Sequence, residues 1–173
     1  MEGTMFKRFR LFAAGLLVAL IAGGGCVCNA DGFAKSVSDA TAPAIAVGVL
    51  AAYFGSEGDG KPNAARVADA ALVSYGFAEL LKPNLSVNDN GFSHSFPSGH
   101  TAVAFSTASS LAGINPKQKW LYYGGAALIG WSRVETGAHT WKDVLGGALL
   151  GVTVGKWSVS SPSGLMLGRV YKF

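Results

Sequence analysis

A chain of 173 residues is long enough for one domain with a core of its own, and half of it is hydrophobic while only 14% is charged, well below the ~25% usual in soluble globular proteins. That composition excludes a disordered chain and brings a membrane into play. Lys and Arg number 14 against 10 acids, but past residue 30 the balance is 11 against 9, and no basic run interleaved with aromatics occurs there, so nucleic acid is excluded as a leading partner.

Residues 1–30 join a basic start, Lys7-Arg8-Phe9-Arg10, to an uncharged stretch from Leu11 to Ala30. This is the pattern of a signal peptide or an N-terminal membrane anchor, with small residues at Cys28 and Ala30 suiting cleavage after Ala30. Gly23 stands where a lipoprotein box has a large aliphatic residue, which weakens a lipidation reading of Cys26. Cys26 and Cys28 have no second pair to complete a zinc site and a spacing unsuited to a redox pair. The basic end stays in the cytoplasm, so the chain beyond Ala30 begins on the far side of the membrane. Asp31-Gly32 opens a polar segment, and residues 31–173 form the second unit, a helical domain.

Within it, five apolar stretches fall near residues 40–55, 64–82, 99–114, 119–133 and 140–157, and none alternates as a strand does. Gly, Pro and Asn mark the turns at Gly55–Asn63 and Asn115–Lys119. Short connections imply antiparallel neighbours, so the expected fold is all-α: a compact antiparallel bundle of five to six helices. Gly164 to Phe173 alternate weakly, as a strand or an irregular tail. The uncharged runs are shorter than the ~20 residues of a spanning helix, and Arg66, Asp69 and Glu79 interrupt one of them. Yet if all six apolar segments crossed in turn, most Lys and Arg would lie inside and only Lys35, Lys82, Arg133 and Lys142 outside, which favours a membrane-embedded bundle.

Three places put reactive polar residues at the ends of these stretches: Lys82-Pro83, Pro97-Ser98-Gly99-His100, and Ser132-Arg133 through His139 to Asp143. Alternating topology brings all three to one end of the bundle. Pro and Ser suit a helix start, Gly99 permits close backbone approach, free amides there suit a phosphate, and His100 could pass a proton to a leaving oxygen. An ordinary capped helix is the bland alternative. His139 and Asp143 are four apart, so on a helix the carboxylate would fix the imidazole tautomer and leave the other nitrogen free as a nucleophile. Mere surface pairing is the competing reading. Gly147, Gly151 and Gly155 continue that stripe as a close-packed inward face, matched by a small stripe of His100, Ala104, Ala108 and Ala112. Arg133 supplies a fork of donors for phosphate oxygens.

The order and spacing of Pro97-Ser98-Gly99-His100 and of Ser132-Arg133, His139 and Asp143 resemble the type 2 phosphatidic acid phosphatase superfamily, which also holds bacterial acid phosphatases and vanadium haloperoxidases. The resemblance covers residues 40–157. It implies an all-α bundle in which His139 attacks phosphorus to give a phosphohistidine, Asp143 orients it, and His100 protonates the leaving alcohol. It further implies that Lys82, Ser98, Gly99 and Arg133 bind the phosphoryl oxygens, with no metal or other cofactor. The first family motif departs: Lys82-Pro83 stands for Arg-Pro, and the lysine seven positions earlier is Tyr75. Lys142 or His94 are candidate substitutes.

The function expected is a metal-independent phosphatase of the cell envelope. Its site faces away from the cytoplasm, in the inner membrane or in the periplasm after signal cleavage, and takes a lipid-linked or small phosphomonoester or a pyrophosphate. The alternatives are a vanadate-dependent haloperoxidase, a serine hydrolase using Ser98, a zinc site of His100, His139 and Asp143, and a phosphate-binding or structural membrane protein. Oligomeric state is not encoded in any of these features.

Overall fold

The structure, a computed structural model, describes residues 30–56, 59–85, 95–162 and 164–166. The leader expected at 1–30 therefore lies outside the described residues except for Ala30, as does His94. Six α-helices form among the described residues: α1 (Ala30–Asp39), α2 (Thr41–Gly55), α3 (Gly60–Leu85), α4 (Gly99–Ile114), α5 (Lys119–Glu135) and α6 (Trp141–Ser160), with a 3-10 turn at Pro116–Gln118 before α5. The all-α expectation holds, and five of the six helices coincide with the apolar stretches.

The sixth, α1, replaces the expected polar segment. Its charges Asp31, Lys35 and Asp39 recur every four residues and are exposed, while Ala34, Val37 and Ser38 are buried on the opposite face. Against that face stands α5, with Phe33 and Trp131 at 6.1 Å between ring centroids. The helix is amphipathic but so short and polar that its apolar stripe is only three residues deep.

At the centre is α4. Helices α2, α3, α5 and α6 all pack on it, and its sequence shows why: Gly, Ala, Ser and Thr predominate, eleven of its sixteen residues are buried, and it has no polar face to turn to solvent. Several of its hydroxyls are satisfied locally or across interfaces, as in Ser74 Oγ to Ser106 Oγ at 2.9 Å and Ser110 Oγ donating to Gly155 O at 3.3 Å, while Thr107 Oγ1 is buried without a partner among the described residues. Helix α1 continues into α2 with a bend of 48°. From α2 onward sequential helices run antiparallel, so α2, α4 and α6 are parallel to one another and their N-termini share one end with the C-termini of α3 and α5, where Gly99 meets Tyr75 and Glu79, and Gly147 meets Ser98.

The closest approach is between α4 and α6. A β-carbon at Gly147, Gly151 or Gly155 would lie 2.5, 2.3 or 2.5 Å from the carbonyl oxygens of Ser98, Ala102 and Ser106. The glycine stripe is thus the inward face of α6, as expected, but its partner on α4 is the Ser98, Ala102, Ser106 edge. Ala104 and Ala108 instead join Val37, Ala126 and Ile129 in a cluster between α1, α4 and α5. The reason is rotational: 102 and 106 lie on one side of the helix, 104 and 108 on the other.

At the opposite end, Asp69 of α3 is buried and accepts hydrogen bonds from the amides of Leu165 and Met166. Residues 164–166 form a bend and not a strand.

Because backbone atoms cannot give way, Gly151→Val is expected to destabilise the bundle by ~2–3 kcal/mol or to prevent folding. Gly124→Ala, where an added β-carbon meets nothing within 4 Å, is expected to gain ~0.5–1 kcal/mol from helix propensity. Thermal unfolding of the two variants beside the wild type in one detergent checks both signs.

Candidate active site

Each site residue is placed by a helix end. Ser98 precedes α4 with extended backbone and is fully buried, yet its hydroxyl does not cap the helix. It accepts instead from Thr101 Oγ1 at 3.0 Å, while its amide donates to Asp143 O at 3.0 Å. The first amides of α4 therefore have no side-chain cap, a condition that usually costs ~1 kcal/mol and that an anion could reverse. By contrast α6 is fully capped: Thr140 N donates to Asp143 Oδ2 at 2.9 Å and Asp143 N to Thr140 Oγ1 at 3.4 Å.

His139 lies before this cap and not on the helix, which corrects the helical one-turn pairing expected for His139 and Asp143. The connection from α5 turns at Gly137, whose φ of 68° suits a residue without a β-carbon. The amides of Ala138 and His139 then both donate to Arg133 O, at 3.1 and 3.0 Å. His139 is thereby tied to the backbone of the arginine. Its Nδ1 faces Asp143 Oδ2 at 3.7 Å, too long for a hydrogen bond but within ion-pair range. Asp143 serves three neighbours at once: its carboxylate caps α6 and faces His139, and its carbonyl holds Ser98.

Arg133 Nη1 donates to Ser38 Oγ at 2.6 Å, and Asp39 adds a carboxylate within electrostatic reach. Arg133 Nε and His139 Nδ1 are both buried without a hydrogen-bond partner among the described residues. Lys82 pairs with Glu79 one turn earlier on α3. Tyr75 and Glu79 flank Gly99: a β-carbon there would stand 3.5 Å from Glu79 Oε1 and 3.6 Å from the Tyr75 ring. The position that lacks the expected lysine thus holds a phenol over the start of α4, and a carboxylate occupies the space beside it.

Arg133, Lys82 and His100 all act electrostatically on His139, and Glu79, Lys82 and Arg133 on His100. All seven residues expected at the site are therefore brought to one end of the bundle. Burial, and then the Arg133 charge, push the His139 imidazole below its ordinary value, with Asp143 opposing them. The three residues weighed as a zinc site do not gather into a metal-sized cluster among the described residues; Arg133 and Lys82 share their space. Lys142 is exposed in the first turn of α6. Two contributors escaped the sequence reading. Glu79 could have been found from its spacing of four from Tyr75 and three from Lys82, whereas nothing in the sequence links Ser38 to a residue 95 positions away.

A model of the PAP2 superfamily matches residues 12–166. The chain belongs to this superfamily. It is also similar to the bacitracin transport permease protein BcrC of Bacillus licheniformis, 38% identical over 76 residues, which are 44% of this chain and 37% of that protein. The chain thus aligns with little more than a third of that relative's length. No solved structure matches it significantly.

A hydrogen bond to a guanidinium is worth ~1.5–3 kcal/mol, so Ser38→Ala is expected to weaken inorganic phosphate binding roughly tenfold. Ser38→Thr should restore it. Isothermal titration with phosphate checks the pair, and equal affinity in Ser38→Ala and wild type would remove Ser38 from the site.

Proposed function

We propose that the chain is a metal-independent phosphatase that cleaves a lipid-linked phosphomonoester or pyrophosphate through a phosphohistidine, at the non-cytoplasmic end of a membrane-embedded bundle. The observation that carries this reading is the convergence of two histidines and two cations on the uncapped start of α4. Superfamily membership supports a phosphatase-type activity.

In this mechanism the phosphoryl oxygens lie on the first amides of α4 between Arg133 and Lys82, and binding displaces Lys82 from Glu79. Asp143 beside Nδ1 leaves Nε2 of His139 as the attacking nitrogen. A nitrogen–phosphorus bond forms as the bond to the leaving oxygen breaks, and that oxygen takes the proton of His100. Water then attacks the phosphohistidine, His100 accepts its proton, and phosphate departs with His139 regenerated. Fixed donors around the equatorial oxygens stabilise the charge that develops there.

Membrane embedding draws its support from the outer surface. Trp141, Leu145, Leu149 and Trp157 are all exposed on α6, with the two tryptophans sixteen residues apart, or about 24 Å along the axis. That spacing sets aromatic rings near the two edges of a hydrocarbon layer, with leucines between them. Leu72 and Leu80 of α3 are likewise more than half exposed. No single described helix is long and apolar enough to cross a membrane; the pair α1 and α2, bent by 48°, passes that test together.

The deciding experiment is phosphate release in excess chelator from phosphatidic acid and from a small soluble phosphomonoester. His139→Ala is expected to lower kcat on both by about a thousandfold or more. Unchanged turnover in the variant would refute the phosphohistidine, and binding without turnover in the wild type would leave a phosphate-binding protein.

The pH profile gives a second check. His139 must be neutral to attack, and burial and Arg133 lower its pKa in the free protein, so kcat/KM persists below the ordinary histidine range and falls as pH drops through the lowered value. Removing the cation in Arg133→Met should move this acid limb of kcat/KM upward.

A further inference from the structure

The phosphate cradle holds a carboxylate that the mechanism above does not use. Glu79 Oε1 lies 3.5 Å from where a β-carbon of Gly99 would stand, beside the uncapped first turn of α4, and its charge acts on His100. Tyr75, one turn earlier on α3, sets its ring 3.6 Å from the same point. Both side chains therefore face the start of α4. The Glu79 side chain is 41% exposed, open enough to meet a ligand that enters from solvent.

The charges around Glu79 do not suit a dianion. Of the helices packed on α3, α2 carries no charged side chain, α4 brings His100, and α6 brings Lys142 and Asp143 at this end. Arg133 of α5 acts on both histidines, and Asp39 of α1 acts on Arg133. Those acting on His100, His139 or Arg133 are two cations, Arg133 and Lys82, against three carboxylates, Asp39, Glu79 and Asp143. Lys142 is exposed and lies outside this set. Asp143 is committed to the cap of α6. Glu79 is paired with Lys82, the cation that an incoming phosphoryl group would draw away. A carboxylate is then left beside an anion.

Like charges that share a site do not both stay ionised; a proton settles between them. A phosphoryl group has one to offer, because its second ionisation falls near pH ~6, above the ~4.3 of an ordinary glutamate. The proton stays on the phosphoryl oxygen, which donates it to the carboxylate in a charge-assisted hydrogen bond. Sulfate has the same shape but carries no proton near neutral pH, and it would set a bare oxygen against Glu79.

Resting on the phosphate cradle of the proposed function, we propose that Glu79 is a specificity residue that accepts a hydrogen bond from a protonated phosphoryl oxygen, so that the site takes a phosphoryl group bearing a proton and rejects tetrahedral dianions without one. The terminal group of a phosphomonoester or of a pyrophosphate meets that condition. A sulfate ester or a phosphodiester has no such proton and does not.

Isothermal titration of the full chain in detergent with inorganic phosphate and with sulfate tests the assignment. The wild type should prefer phosphate roughly tenfold or more. Glu79→Gln, which keeps the shape and can donate to a bare oxygen, should lose most of that preference, chiefly by gaining affinity for sulfate. At about pH 8, where free phosphate is mostly dianionic, wild-type binding should take up a proton, read as a dependence of the heat on the buffer's ionisation enthalpy. Glu79→Gln should take up about one proton fewer; His100 and His139 are present in both proteins, so the difference reads Glu79. Equal affinity of the wild type for the two ions would overturn the proposal, whether or not the variant folds. So would a change by the same factor for both ions in Glu79→Gln, the result expected if Glu79 only holds Lys82. None of these measurements needs turnover. Phosphate bound selectively but never released from a substrate would refute the phosphatase reading alone, and turnover without selectivity would refute this one alone.

Discussion

The contact on which the structure depends is backbone against backbone, where α6 meets α4. Three glycines a turn apart let the carbonyls of Ser98, Ala102 and Ser106 approach to distances that no β-carbon would allow. This approach places Asp143 O within a hydrogen bond of Ser98 N, so two motifs 45 residues apart in the chain become one covalently unlinked unit. Side-chain packing could not hold that register so tightly, because longer side chains have rotamers to yield and backbone has none. Three of the chain's 24 glycines serve this one interface.

Around that unit, charge is placed sparingly. The start of α4 turns its uncapped, positive end toward the site, the start of α6 being closed by Thr140 and Asp143, and Arg133 and Lys82 add two fixed cations. Each cation has a local partner: Ser38 and Asp39 for Arg133, Glu79 for Lys82. Ser38 holds the Arg133 side chain in place, whereas the pairing of Lys82 with Glu79 is one that an incoming anion would have to displace. Where the family pattern has a further lysine, Tyr75 sets an aromatic ring beside Gly99. The site is consequently less positive than its motifs suggest, and on the proposed reading the start of α4 would carry a larger share of anion binding.

Most of this was legible in the sequence, for reasons that differ by residue. Helices α2 to α6 follow from long apolar runs bounded by Gly, Pro and Asn, and the convergence of Lys82, His100 and Arg133 follows from antiparallel connection alone. The glycine stripe of α6 was readable because a period of four on a helix is a face. Its mate on α4 was not, since Ala and Ser occupy every side of that helix and periodicity cannot rank them. Helix α1 was hidden by its charge, and the position of His139 by the cap: Thr140 and Asp143 start the helix one residue later than the apolar pattern does. Ser38 is a contact between distant segments, which no local pattern encodes.

The two ends of the bundle are built on opposite terms. At one, the start of α4 and the side-chain nitrogens Arg133 Nε and His139 Nδ1 are left short of acceptors. At the other, Asp69 has both carboxylate oxygens filled by the amides of Leu165 and Met166, so a buried negative charge is closed off by the chain's own backbone. The segment after α6 therefore acts as a stopper. Cutting it away would take two backbone donors from a buried carboxylate of α3, about 20 Å from Lys82 along the helix, and would loosen the molecule at a distance from its chemistry.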